Sequence, residues 1–315
     1  MKHLTMLDLS SNSIGGEIPN VFSNLQELVE LFLSTNNFIG PFSSSILSLT
    51  HFEVLYLERN SLSGPPPSNT SMLQKLPELG LFSNILDGTI PSSVFSFPIL
   101  ELKLNHNRFR GLDDELKTNL TLDDLYLSHN QLNGPIPQSL ANLINLVRIV
   151  LSSNNITDNV GIEFLKTMQI LEHIDLSWRT GIKGSKITLS NLKVLFISSC
   201  EPKDFPHLLR NGKTLKGLLP SSICNMSGLT FFGLSHNYFS DFVPYHLGIM
   251  VELSVSDLRR NNFIGSLPPL CVRSTSLCTI VLNGNHFEGT VPMSLLNCDG
   301  LEVLDVGNNA INDTF

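Results

Sequence analysis

At 315 residues the chain is long enough for two ordinary globular domains. With 42% hydrophobic and 15% charged residues it can bury a long core and does not read as a disordered polymer. A net charge of −8 with an isoelectric point near 5.5 argues against sequence-independent binding to nucleic acid or anionic lipid, both of which depend on basic patches. No uninterrupted run of about 18 apolar residues is present, and the opening MKHLTMLDLSSN lacks the apolar stretch of a secretory signal.

A fixed period overrides the length prior and implies stacked units. The pattern L-x-x-L-x-L-x-x-N begins at Leu4, Leu28, Phe52, Leu76, Ile99, Leu122, Leu146, Leu171, Leu192, Leu215, Leu229, Leu253, Leu277 and Leu301, with most steps of 24 residues. Each unit predicts one short strand and buries its apolar stripe only against its neighbours. In LTMLDLSSN, Leu7 and Leu9 alternate with Asp8 and Ser10, so the leucines point inward and the polar residues outward. Eight residues after most starts comes an Asn, from Asn12, Asn36 and Asn60 through to Asn309. An inward amide there can donate to and accept from backbone groups stranded by the turn, each worth about 1–3 kcal/mol. Four residues on, Gly16, Gly40, Gly64, Gly88, Gly111, Gly134, Gly265 and Gly289 permit a tight backbone that a side chain is expected to obstruct. Pro19, Pro67, Pro91, Pro137, Pro244, Pro268 and Pro292 then launch the return segment. Around Pro91, Val94 and Phe97 are expected in the core.

The fuller form L-x-G-x-I-P, as in LDGTIP and LNGPIP, resembles the plant extracellular class of leucine-rich repeats, and SLLNCDGLEVLDVGNNAINDTF is similar to the distal ectodomain of plant receptor-like proteins. The resemblance implies an α/β-type solenoid: a right-handed superhelix with a parallel β-sheet on its concave face. It further implies recognition of peptide or microbial ligands at the extracellular face of the plasma membrane, no cofactor, no catalytic domain and a co-receptor kinase as partner. The family's terminal caps, signal peptide and membrane helix are not found in this chain, so it reads as a fragment of such an ectodomain.

The period fails between Leu171 and Leu229, where Arg179 and Cys200 take the Asn position and steps of 21 and 14 residues occur. The organisation expected is therefore repeats 1–9 over residues 1–214, a shortened irregular repeat over 215–228, and repeats 11–14 over 229–315. A missing strand is expected near residues 210–222.

No C-x-x-C, H-E-x-x-H, G-x-S-x-G or phosphate-cradling motif is present, so no enzyme and no metal are expected. Five cysteines do not make a complete disulfide framework. Cys271, Cys298 and Cys200 read as buried thiols, while Cys224 and Cys278 stay open. N-glycosylation triplets stand at Asn69, Asn119, Asn155, Asn225 and Asn312; a chain this rich in Asn, Ser and Thr would carry about as many by chance.

The informative surface is the outward strand face. Phe32 and Tyr56 share an outward offset in neighbouring units, with Phe82, Tyr126, Trp178 and Phe196 further along and Glu58, Arg59, Glu101, Lys103 and Asp124 around them. Large aromatics outside a core, rimmed by charge, fit a binding strip. His106 and His129 also share one offset; without further ligands in register they read as two surface imidazoles. The expected ligand-binding set is Phe32, Tyr56, Glu58, Arg59, Phe82, Lys103, His106, Tyr126 and His129. Three readings stay open: a receptor recognition module, a secreted inhibitor of microbial wall-degrading hydrolases, and a nonfunctional truncated copy.

Overall fold

The computed structural model describes residues 3–49, 51, 53–66, 76, 78–96, 98–116, 121–156, 160–161, 168–177, 182–183, 191–197, 219, 226–272 and 276–312. The chain divides into two compact units, Met1–Asn155 and Ile156–Phe315. Each is a β-solenoid of leucine-rich-repeat type.

In the first unit a parallel sheet runs in the order Met6–Asp8, Glu30–Phe32, Val54–Tyr56, Glu78–Gly80, Glu101–Lys103, Asp124–Tyr126 and Arg148–Val150. Register repeats from turn to turn: Leu7 stands opposite Leu31, and Leu31 opposite Leu55. Each strand is three residues long, so period-two alternation puts its middle residue inside and its flanking pair outside. Leu31, Leu55, Leu79, Leu102, Leu125 and Ile149 are all buried. The second unit repeats the design with His173–Asp175, Val194–Phe196, Phe231–Gly233, Val255–Asp257, Thr279–Val281 and Val303–Asp305.

Apart from Asn12, which is exposed and donates only to the Leu9 and Ser10 carbonyls of its own turn, the asparagines lie inside the coil, and most bond in one pattern. Asn36 Nδ2 donates to the carbonyl oxygens of Leu9, Leu33 and Ser34 at 2.7, 3.3 and 3.3 Å, while its Oδ1 accepts from the Ile14 N–H at 3.0 Å. Asn84, Asn107, Asn130, Asn154, Asn261 and Asn285 repeat this one turn after another. The residue before each is driven into the left-handed region: Thr35, Arg59, Ser83, His106 and His129 have φ between 52° and 56°. That conformation costs a non-glycine residue about 1–2 kcal/mol, which the several amide bonds of the adjacent Asn offset.

A second parallel sheet follows the asparagine turn, which the single-strand reading of the repeat did not include. In the first unit it comprises Gly15–Glu17, Asn37–Pro41, Ser61–Gly64, Ile85–Ile90 and Arg108–Leu112. Phe38, Leu62, Leu86 and Phe109 anchor it in the core. Two glycines of the turn are required by conformation and not by crowding, whereas a Cβ on Gly40 would also fall 2.9 Å from Glu17 Cγ. Gly16 and Gly134 have φ of 90° and 75°, yet nothing lies within 4 Å of a Cβ added to either. Gly111 departs from the rule: its strand shifts register between Phe109 and Gly111, and it is absent from the residues with positive φ. Most return segments are short 3₁₀ turns such as Asn20–Asn24 and Gln138–Asn142, entered through Pro19 and Pro137 with φ of −72° and −63°, whereas Ser44–Leu47 is one α-helical turn capped by Ser43. Val94 and Phe95 fill the core after Pro91; Phe97 lies outside the described residues.

Within the second unit, Val194 stands opposite Phe231, a pairing across 37 residues, whereas neighbouring strands elsewhere are offset by 24, as Met6 is from Glu30. Asn237 reaches back 40 residues to the Ile197 carbonyl, where Asn261 reaches 27 to that of Leu234. Among the described residues its buried Oδ1 has no partner. Arg179, Cys200 and the repeat start at Leu215 lie outside the described residues. Cys271 and Cys298 are not the thiols expected: they are joined as a disulfide between successive return segments, 27 residues apart. An odd cysteine count excludes a complete framework but says nothing about a single bridge. Cys278 is free, its Sγ donating to the Ser254 carbonyl at 3.3 Å.

Candidate functional site

All nine expected residues lie on the outward sheet face of the first unit or on the turn that leaves it. Phe32, Tyr56, Glu58, Phe82, Lys103 and Tyr126 are half-buried, and Arg59, His106 and His129 exposed. They form local groups spread across successive strands, not one pocket.

Phe32 and Tyr56 are in direct register. Their rings meet edge to face, with centroids 5.3 Å apart and an interplanar angle of 74°, a geometry favoured by the aromatic quadrupole. The interior beneath is already filled by Leu31 and Leu55, so the two rings cover sheet surface and do not complete the core. Next along, the Arg59 guanidinium lies 5.9 Å from the Phe82 ring centroid, within cation–π range. The left-handed φ of 55° at Arg59 turns its side chain off the strand line. Gly80 stands opposite Tyr56, and the Glu58 carboxylate comes within 3.3 Å of where a Cβ on that glycine would sit.

Farther on the face is polar and ordered. Lys103 pairs with Glu101 at 2.9 Å. Arg148 Nη1 donates to Tyr126 Oη at 2.7 Å and to Asp124 Oδ2 at 3.2 Å, and Tyr126 Oη donates to the same carboxylate at 3.4 Å. The Tyr126 hydrogen bond, outweighing burial and aided by Asp124, raises the proton affinity of Arg148 above its ordinary value. This network holds the Tyr126 hydroxyl between Arg148 and Asp124. Arg148 escaped the sequence reading, although its offset from Leu146 is that of Glu101 from Ile99.

His106 and His129 stack, with centroids 4.2 Å apart and planes 8° from parallel. Partial burial, followed by the neighbouring His129, pulls the His106 pKa below the ordinary 6.5. Parallel rings direct their ring nitrogens side by side instead of toward a common point, and among the described residues no group of three potential ligands gathers. The face offers apolar and cation–π anchors with a fixed polar rim, which is chemistry for binding.

Of the other aromatics singled out, Trp178 lies outside the described residues, and Phe196 belongs to the second unit. Its partner there, Phe231, was not anticipated, because the two are adjacent only where the repeat is skipped. Of the glycosylation triplets, Asn155 and Asn312 are exposed, while Asn69, Asn119 and Asn225 lie outside the described residues.

A profile of the family described as Leucine Rich Repeat matches residues 3–25 and 121–143. Receptor like protein 24 of Arabidopsis thaliana is 32% identical over 68% of this chain and 26% of its own length. Receptor-like protein 39 of the same plant is 31% identical over 94% of this chain and 32% of its own length. The chain thus spans about a quarter to a third of these relatives. Among solved structures, that of PEPR1–AtPEP1 superimposes with a TM-score of 0.78 at 30% identity, covering 98% of this chain and 42% of the other. The plant peptide hormone receptor RGFR1 in complex with RGF2 gives 0.78 at 25% identity, over 99% and 52%.

Proposed function

Because the chain belongs to the leucine-rich-repeat proteins and is related to plant receptor-like proteins, we propose that its first unit is a non-catalytic recognition module that holds an extended peptide or protein segment on the outward sheet face. The single observation that carries this reading is the Phe32–Tyr56 pair, two large rings held edge to face above an interior that is already full. Fully burying such a side chain contributes about 1.5–3 kcal/mol, so two or three anchors would dominate an affinity. From the Phe32 strand to the Tyr126 strand is four strand steps, or roughly 19 Å, which an extended segment of about six residues spans.

The Cys271–Cys298 bridge supports an oxidising compartment, in keeping with a ligand met outside the cell at the plasma membrane and signalling handed to a partner kinase. Exposed Asn155 and Asn312 are then glycan sites, read out as a mobility shift on glycosidase treatment that Asn155→Gln and Asn312→Gln each reduce.

The test is a selection from a displayed library of random peptides on the full chain, with wild type and Phe32→Ala compared. Peptides enriched on wild type are expected to bind Phe32→Ala roughly tenfold more weakly, equivalent to about 1.4 kcal/mol. Enrichment that is indifferent to Phe32 would overturn the assignment.

A further inference from the structure

We propose that the second unit carries a separate anchor site on its outward sheet face, formed by Val194, Phe196, Phe231 and Val255 and rimmed by Arg260, that takes a peptide segment pairing an apolar side chain with a carboxylate. The proposal rests on the reading of outward sheet faces as recognition surfaces, but on different residues.

The site exists because a repeat is skipped. Val194 lies opposite Phe231 and Phe231 opposite Val255, while Phe196 lies opposite Gly233. Two phenylalanines 35 residues apart in the chain thereby become neighbours, with ring centroids 4.2 Å apart and planes tilted by 36°. Gly233 makes this possible. A Cβ there would fall 2.9 Å from Phe196 Cδ1 and 3.1 Å from Phe231 Cε1, so only glycine lets the Phe196 ring lie down on the sheet. The core below is closed by buried Leu195 and Phe232. Both rings and both valines are half-exposed, leaving a continuous apolar pad directed outward.

The charges around the pad are unequal, and that selects the occupant. Asp257 accepts two hydrogen bonds from the Arg259 guanidinium, at 3.0 and 2.8 Å, and so neutralises it. Arg260, the next residue, is exposed with a left-handed φ of 52°, and no ion pair engages it among the described residues. Gly284 beside it lacks the side chain that would crowd its stem, since a Cβ there would come within 3.3 Å of Arg260 Cγ. His236 stands one repeat earlier at the same left-handed turn, and burial, then Arg260, lowers its proton affinity, so the fixed cation on that flank is Arg260. The opposite flank carries Asp175, in register with Phe196. A carboxylate is therefore drawn toward Arg260 and repelled from Asp175, which gives the segment one direction across the rings.

The test uses the full chain and a displayed library of random peptides. Peptides that depend on Phe231 are expected to place Asp or Glu close to a Phe, Trp or Leu, to bind Phe231→Ala and Arg260→Gln at least roughly tenfold more weakly, and to bind Tyr56→Ala unchanged. On Arg260→Glu the enriched charge should invert to Lys or Arg. Arg260 is exposed, so both of its variants should match wild type in thermal unfolding. Enrichment without an acidic residue, or acidic peptides that survive Arg260→Glu, would overturn the proposal. Peptides lost only with Phe32 or Tyr56 would overturn it while leaving the first-unit reading intact.

Discussion

Replacing Asn130 by Ala removes one rung of the internal asparagine ladder, and its cost follows from counting which groups are left unpaired. Asn130 Nδ2 donates to the carbonyls of Leu104, Leu127 and Ser128 at 3.0, 3.1 and 3.2 Å, and its Oδ1 accepts from the Phe109 N–H at 3.1 Å. The three carbonyls keep other donors: Asn107 Nδ2 for Leu104, Asn154 Nδ2 for Leu127 and the His106 N–H for Ser128. Only the Phe109 N–H is stranded, at about 1–3 kcal/mol, while weakening at the shared carbonyls brings the total to about 2–4 kcal/mol. For a unit of this size that is a fall in melting temperature of roughly 4–16 °C. Calorimetry of Asn130→Ala against Gln131→Ala, an exposed neighbour expected to shift stability by under about 0.5 kcal/mol, measures it. Hydrogen exchange should single out the Phe109 amide, with the Leu132 amide, bonded to Asn154 Oδ1 at 3.0 Å, still protected. Equal stability of the two variants, or an unchanged Phe109 amide, would refute the ladder argument.

Three further outcomes are expected. Cys298→Ser should destabilise the second unit by about 2–4 kcal/mol, because the bridge to Cys271 closes a loop of 27 residues; a urea midpoint that a thiol reductant leaves unmoved would count against it. Ser256, at a core position in register with Phe232 and Ile280, is 1% exposed, and its Oγ has no partner among the described residues. Ser256→Ala should therefore be neutral or stabilise by about 1 kcal/mol, and a loss of stability would show that the hydroxyl is satisfied. The lowered pKa of His106 means that the unfolded chain takes up the proton first, so its contribution is intact above pH 6.5 and declines as the pH falls from there toward the depressed folded value. His129→Gln, which removes the stacked neighbour, should flatten the pH dependence of stability between those limits, and a steeper dependence would contradict the sign.

The repeat itself was legible because its spacing is enforced by packing: Leu31, Leu55 and Asn36 can recur only if they stack. The left-handed turn before each asparagine was not, since Thr35, Arg59 and Ser83 have no preference for it and are driven there by the amide that follows. The second sheet was hidden because strands such as Asn37–Pro41 contain the very glycine that reads as a turn. Of the candidate site, the Phe32–Tyr56 contact followed from a shared offset, and the histidine stack did too. Arg148 lay at a readable offset but looked like any surface arginine until Tyr126 and Asp124 were seen to hold it. Phe196 and Phe231 could not be paired from sequence, because a broken period removes the rule that converts spacing into adjacency.

Ligand binding by the first unit is proposed to depend on its outward rings. Its most direct test is the affinity, by titration calorimetry, of one peptide selected on the wild-type chain for the Phe32→Ala/Tyr56→Ala double variant, whose fold is checked by unfolding. A loss of roughly a hundredfold, about 2.7 kcal/mol, is expected. An affinity within about twofold of wild type, with the fold intact, would contradict it.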